Sequence, residues 1–558
     1  MVGVQRRLAD LQRPLHLGPG AGQIPQIPQH VSEAVPAGGH FGVVRAERRL
    51  ADLQRPLVLA PGAGQIPRSR AIPRARRDLT DRCTADSDPC YRPAMGEVRS
   101  LDTDYLVVGA GAAGMAFTDE LLRHSDATVT IVDRRHAPGG HWLEAYPFVR
   151  LHQPSTFYGV TSAPLGQDAL DVTGTNAGFY ELASASEIRA YYERVMNRCF
   201  LPTDRVRYFP NSDFVGGHRF VSRLSGAEFR VEVRRKLVDT TYLEGEFPST
   251  SPPPFEVADG VRCMPAGEVS SLTEAPARYV IIGAGKTALD VCVWLLERGV
   301  VASSICWIKP REAWWLNRRF QQPQTLWPDY YRGVAVQVEA MAQATSVEDL
   351  FARLSQLGIY LRADTEVSPD MFRGAITCEA ELELIRQIED VVRFGHVKRI
   401  TRDKIVLDRG CIPTNERTVH VHCAAHGLAR PPLRPIFEPG RVTIQPISFG
   451  FACYQFATLG VVEATLDSDD EKNRLCPPIH YWDRTEDYLS AWLATLLGER
   501  TRAKHAELGE WITTTRLNPA TGITAYRDDQ RVLEARELIK HNIADATTNL
   551  PKLAGRRG

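Results

Sequence analysis

The chain has 558 residues, 43% of them hydrophobic and 24% charged, ordinary globular values that exclude a collagenous, wholly disordered or membrane-embedded protein. Its 67 basic residues balance 67 acidic ones, so no whole-chain field attracts nucleic acid or an anionic membrane, and small-molecule partners are expected. The 11 cysteines include no Cys-x-x-Cys pair and the first twenty residues lack a signal-peptide core, which together read as a reducing, cytoplasmic setting with no membrane span.

Residues 1–94 stand apart, with 14 arginines, no lysine and 8 acidic residues. RRLADLQRPLHLGPGAGQIP at 6–25 returns at 48–67 with two positions changed. Two copies broken by Pro and Gly cannot build a solenoid, which needs about three or more stacked units. A disordered segment is expected, with a basic nucleic-acid arm as the alternative. Met95 precedes the first core-like stretch, and the native protein is expected to begin there.

From residue 102 the pattern becomes that of an α/β unit. The apolar run Tyr105 to Val108 reads as a buried strand, Gly109, Gly111 and Gly114 form G-A-G-A-A-G, a helix runs to Arg123, and a strand over 128–132 ends in Asp133. In such a unit the first glycine permits the tight turn and the second admits a pyrophosphate. The third lets the helix pack closely, while the N–H groups of Ala112 and Ala113 at the helix start meet negative charge. The acid accepts hydrogen bonds from ribose hydroxyls.

A second unit starts at 278. A strand over 279–282 leads into G-A-G-K-T-A, in which Gly283, Gly285 and Ala288 hold the three small positions and Lys286 and Thr287 open the helix. The following strand, 304–308, ends in Lys309 and Arg311 where the first unit has its acid. Cations there suit a ribose 2′-phosphate, so NADPH is expected over NADH; a surface charge pair at a strand end is the alternative. Lys286 is a phosphate contact or a solvated lysine. Two dinucleotide units in one chain imply two-cofactor redox chemistry.

With these residues in place, the chain resembles the two-dinucleotide-binding-domain flavoproteins, and most closely the flavin-containing and Baeyer–Villiger type monooxygenases, over roughly residues 102–470. H-A-P-G-G-H-W at 136–142 is similar to that family's Gly-Gly-x-Trp turn, and the stretch 143–159 to the segment that follows it along the flavin. The resemblance implies that Gly139, Gly140, His141 and Trp142 border FAD. It also implies an α/β fold with two Rossmann-like domains, the NAD(P) domain inserted into a split FAD domain. The expected boundaries are 95–273 for the first part of the FAD domain, 274–417 for the NAD(P) domain with a helical insertion over 324–392, and 418–558 for the second part with a C-terminal helical region. The run 418–428 resembles the strand on which the family re-enters its flavin domain, and 446–465 the loop and helix at the flavin's pyrimidine edge.

The implied function is an NADPH-dependent FAD oxidoreductase, a monooxygenase of a small organic substrate acting with O2 through a peroxyflavin. The alternatives are a non-oxygenating flavin reductase or dehydrogenase, and a flavin-binding protein without turnover. Two departures bear on this. The family's Phe-x-Gly-x-x-x-His signature is missing, since residues 255–278 hold no His, and F-V-G-G-H-R-F at 214–220 has the wrong spacing. Flavin disulfide reductases need a Cys pair beside the flavin, and no cysteine lies between 91 and 198. Arg150, His152, Trp315, Asn317 and Arg318 are cleft candidates by position, with packing or surface charge as the alternative for each. His420 and His422 read as satisfied strand histidines and no metal is expected. No catalytic residue and no oligomeric state follow from the sequence.

Overall fold

The computed structural model describes residues 98–425 and 427–555, all of them within the unit Pro89–Gly558. The Arg-rich repeat and the Met95 boundary lie outside the described residues.

The spine of the first sheet is Arg99–Val108. It pairs in parallel with Val129–Val132 on one side and with Glu228–Asp239 on the other. Val206–Phe209 and Arg441–Thr443 extend the two flanks, again in parallel. Tyr105, Leu106 and Val107 are all but fully buried, the continuous apolar run that a parallel strand covered on both faces requires. Helix Ala112–His124 covers one face and crosses helix Ala452–Thr465 at Gly460, where a Cβ would stand 2.6 Å from the Phe117 carbonyl oxygen. On the other face a hairpin, Ser212–Gly216 and Arg219–Ser222, stacks Phe220 on Phe229. The F-V-G-G-H-R-F stretch is this hairpin, with Gly216, Gly217 and His218 all at positive φ.

The second sheet runs in the order Val391–Val392, Ile305–Ile308, Arg278–Ile282, Thr418–His422, Cys263–Pro265, with every pair parallel. Here the expected boundaries are corrected. Thr418–His422 does not return to the first sheet but lies inside the second, and Cys263–Pro265, assigned to the first part, also belongs to the second. The alternation Val-His-Val-His looks half-buried, yet all five residues are buried, as an internal strand demands. The chain rejoins the first sheet only at Phe437–Glu438 and Arg441–Thr443.

A third, helical body completes the unit. Helices Trp327–Gln343 and Val347–Gln356 of the insertion share a core with the C-terminal helices Thr485–Ala503 and Gln530–Gly555, built on Trp314, Phe351, Tyr360, Tyr488, Trp492 and Leu550. Most of the C-terminal region therefore packs on the insertion, not on the first sheet; helix Ala506–Thr514, through Leu508 and Trp511, joins the first core. Among the described residues no helix is long and apolar enough to cross a membrane.

Candidate functional site

The first glycine turn sits at the carboxyl end of the spine strand. Gly109 holds φ at +107°, and its N–H donates to Val132 O at 2.8 Å, tying the turn to the neighbouring strand. A Cβ on Gly114 would stand 2.0 Å from Gly109 O, so the helix can approach the turn only without a side chain there. Gly111 caps helix Ala112–His124 with no side-chain acceptor, which leaves the first-turn N–H groups unsatisfied from within the helix and directed at whatever lies before it. The carboxylate of Asp133, 4% exposed, accepts from Ala110 N–H at 2.6 Å and Arg135 N–H at 2.7 Å.

The G-G-H-W turn packs back to back with this one. Gly139 N–H donates to Ala110 O at 2.9 Å, and a Cβ on Gly140 would stand 3.0 Å from Gly111 Cα. His141 stacks on Phe247 with ring centroids 5.5 Å apart, and Trp142 Nε1–H donates to Tyr158 Oη at 2.7 Å. His141 is exposed at the cavity wall, and desolvation by the surrounding walls, reinforced by the Arg135 cation, lowers its imidazole to about 4.

The second turn repeats the first. Gly283 holds φ at +138° and donates its N–H to Ile308 O at 3.0 Å. Helix Lys286–Glu297 starts at an equally uncapped Gly285, and fully buried Ala288 stands where Gly114 does. Lys309 then corresponds to Asp133 as the residue after the strand end that receives the glycine N–H. The structure separates it from Arg311, and the expectation that both cations face a 2′-phosphate fails for Lys309. Only 3% exposed, Lys309 pairs with Glu312 at 2.5 Å and lies 4.5 Å from the Trp307 ring centroid, away from the cavity. Trp307 in turn donates its indole N–H to Gly283 O at 2.8 Å. Lys286 is also engaged, turned to Asp290 and lying 3.8 Å from Glu381.

Both turns open on one cavity of about 1570 Å³. Of the sequence-derived residues it is lined by Gly109, Gly111, Ala112, Ala113, Asp133, Gly140, His141 and Trp142 from the first unit, and by Gly283, Gly285, Lys286, Thr287 and Arg311 from the second. Gly114, Ala288 and Lys309 lie behind the lining. His152 and Trp315 face the cavity, whereas Arg150, Asn317 and Arg318 do not. Asn317 donates to Gly358 O at 2.9 Å, and Arg318, 1% exposed, pairs with Glu381 at 2.7 Å. Glu381 is pushed up by burial but pulled further down, to about 2, by Lys286 and Arg318. His152 is lowered to about 3, first by burial and then by the same two cations. Tyr146 closes this network with a 2.6 Å hydrogen bond to Asp290. His420 is satisfied by Thr414 and the Arg262 carbonyl, whereas His422 Nδ1 has no partner. Among the described residues no side-chain cluster could hold a metal ion.

Sequence reasoning missed the remaining walls: the connectors around Thr240 and Ala424, Tyr330 and Tyr331 of the insertion, and Trp482, Asp483 and Trp492 from the C-terminal region. The stretch 446–465, expected at the flavin's edge, does line the cavity through Phe449, Gly450 and Phe451, the last in a left-handed backbone with φ +39°.

A family profile described as an NAD(P)-binding Rossmann-like domain matches residues 107–152. The uncharacterized protein Rv2000 of Mycobacterium tuberculosis (strain ATCC 25618 / H37Rv) is 42% identical over 433 residues, covering 77% of this chain and 80% of its own. The uncharacterized protein Mb2023 of Mycobacterium bovis matches to the same extent. Among solved structures, cyclohexanone-bound cyclohexanone monooxygenase in its rotated conformation aligns at 13% identity over 81% of this chain and 99% of its own, with a TM-score of 0.43. The bacillithiol disulfide reductase of Bacillus cereus aligns at 14% identity over 65% and 98%, with a TM-score of 0.38.

Proposed function

The chain belongs to the family of the mycobacterial proteins Rv2000 and Mb2023, and from that premise we propose that it is an FAD-dependent oxidoreductase. It takes hydride from a nicotinamide dinucleotide, NADPH in preference to NADH, held at the second glycine turn. The observation that carries this reading is that two uncapped glycine turns, each at the carboxyl end of a strand with parallel neighbours, open on the same cavity. Ligands of such sheets bind outside those strand ends. At about 1570 Å³ the cavity exceeds the roughly 300–1,000 Å³ of a drug-sized pocket, which suits two dinucleotides meeting end to end.

The residues fit the groups. Around Gly285 nothing stands within 4 Å of a Cβ position, open space of the kind a pyrophosphate fills. The first-turn N–H groups of Ala112 and Ala113 bind the FAD pyrophosphate, and Asp133 holds the ribose. Gly140, His141 and Trp142 border the flavin, and Thr287 and Arg311 contact the second dinucleotide. A flavin held there would supply an electron sink for hydride and a two-electron donor to O2 or an organic acceptor. The Tyr146–Asp290–Lys286 network ties the first unit to the second. Oxygenation of a small organic substrate is preferred to disulfide reduction because, among the described residues, Cys423 is the only cysteine in the cavity lining, whereas disulfide exchange needs a thiol pair.

Purified protein should be yellow and release FAD on heating, and Gly111→Val should be colourless because a side chain occupies the pyrophosphate's place. Protein that takes up no FAD even on reconstitution refutes the reading. Substrate-dependent NADPH oxidation whose O2 uptake is unchanged by catalase marks oxygenation. Turnover on an organic acceptor without O2 marks the reductase alternative.

A further inference from the structure

Three stretches remote in sequence are sewn together at one wall of the cavity. Trp314 N–H donates to Met371 O at 2.9 Å, Met371 N–H to Glu312 O at 3.0 Å and Phe372 N–H to Asp483 O at 2.8 Å. Ala313 and Arg484 each form an isolated bridge with Met371. This backbone stitching brings three charged side chains to one point. Arg311 Nη1 donates to Asp483 Oδ2 at 2.9 Å, and Arg373 Nε donates to Asp483 Oδ1 at 2.7 Å, so each oxygen of a single carboxylate takes one arginine. All three side chains line the cavity. Asp483 is itself anchored, its N–H donating at 2.8 Å to Asp487 in the first turn of helix Thr485–Ala503. Arg311 meets one further acid, Asp370 at 3.5 Å, whose side chain is 69% exposed and so contributes little.

Arg311 lies three residues beyond Ile308, whose carbonyl receives the Gly283 N–H. It therefore stands beside the second turn at the ribose end of a bound dinucleotide, where a 2′-phosphate is recognised. We propose that Asp483 is the specificity-determining residue of the second dinucleotide site: its carboxylate occupies the two arginines that a ribose 2′-phosphate would use, and so holds down the preference for the phosphorylated dinucleotide. The inference rests on reading the second turn as a nicotinamide dinucleotide site. A phosphate dianion reaching Arg311 and Arg373 must displace or lie against a carboxylate that already neutralises one of the two charges, and the like charges repel. A ribose bearing a free 2′-hydroxyl meets no such repulsion and can donate to that carboxylate.

The test compares 2′,5′-ADP with 5′-ADP as probes, by calorimetry on the flavin-loaded full chain. Asp483→Asn keeps the shape and removes the charge; it should tighten 2′,5′-ADP about five- to tenfold while leaving 5′-ADP within about twofold. Arg311→Gln and Arg373→Gln should each weaken 2′,5′-ADP about tenfold or more and spare 5′-ADP. In Asp483→Asn combined with Arg311→Gln most of the gain should vanish. The opposite signs matter, because damage to the fold can only weaken binding. If the arginine variants lose 2′,5′-ADP but Asp483→Asn fails to gain it, the inference about Asp483 is overturned and the dinucleotide site stands. If the wild-type chain binds neither nucleotide, both fall.

Discussion

A methyl group would meet different surroundings at the third position of the first glycine turn and at the second position of the second turn. At Gly114 it would stand 2.0 Å from a carbonyl oxygen of the turn itself, whereas at Gly285, with φ −89°, it would meet nothing within 4 Å. Gly114→Ala is therefore expected to cost about 1–3 kcal/mol of overpacking and to lose FAD, while Gly285→Ala keeps the melting temperature and weakens only the second dinucleotide. Equal losses of stability in the two variants would remove the distinction. His152 permits a second expectation. Free imidazole titrates near 6.5, but His152 is held at about 3. Below pH 6.5 the unfolded chain thus binds a proton at His152 that the folded chain refuses, so folding becomes progressively less favourable as pH falls from about 6.5 toward 3. The fall in melting temperature from pH 6.5 to 4 should be shallower for His152→Asn than for the wild type, and parallel curves would contradict it. Asp133 was readable because turn, strand and acid lie within 25 residues of one another. Lys309 was misread because its partner Glu312 sits three residues on in a loop, where spacing carries no orientation.

At the scale of elements, helix Lys286–Glu297, helix Glu379–Ile385 and the segments around Tyr146 and Arg318 are joined by charge. Lys286 faces Asp290 and Glu381, and Arg318 faces Glu381, so two cations are matched by two carboxylates in a largely buried setting at the cavity's edge. Glu381→Gln leaves Arg318 without its carboxylate and should destabilise by roughly 3–5 kcal/mol, since breaking a buried pair strands a charge. Tyr146→Phe removes one hydrogen bond to Asp290 and should cost about 1–3 kcal/mol; denaturant unfolding that ranks the two variants in reverse would place the network's weight on Tyr146. The strands and helices flanking each glycine turn were legible because hydrophobic runs and small residues encode them locally. Thr418–His422 was assigned to the wrong sheet because a parallel strand's neighbours are not encoded in its own pattern. The association of the C-terminal helices with the insertion is likewise a property of faces that meet only after folding.

In the whole molecule, two sheets, each with a parallel core, face one cavity and the connectors between them cross in contact. A Cβ on Gly245 would stand 1.9 Å from Gly427 O, and Glu246 N–H donates to that same oxygen at 3.1 Å. Neither glycine announced this in the sequence, since the crossing depends on both connectors at once. Two turns on one cavity make a claim about ligand count that stability can read. A ligand that binds only the folded chain adds about 2.7 kcal/mol at a hundredfold excess over its dissociation constant. FAD added to the flavin-free protein should give one such increment, and oxidised NADP added to the FAD-saturated protein should give a second of comparable size, because the two turns belong to different sheets. Gly111→Val should abolish the first increment. Gly285→Val, whose side chain would enter the open space before the second helix, should abolish the second and retain the first. Should the second nucleotide add nothing, or displace FAD, the turns compete for one ligand and the cavity serves a single cofactor.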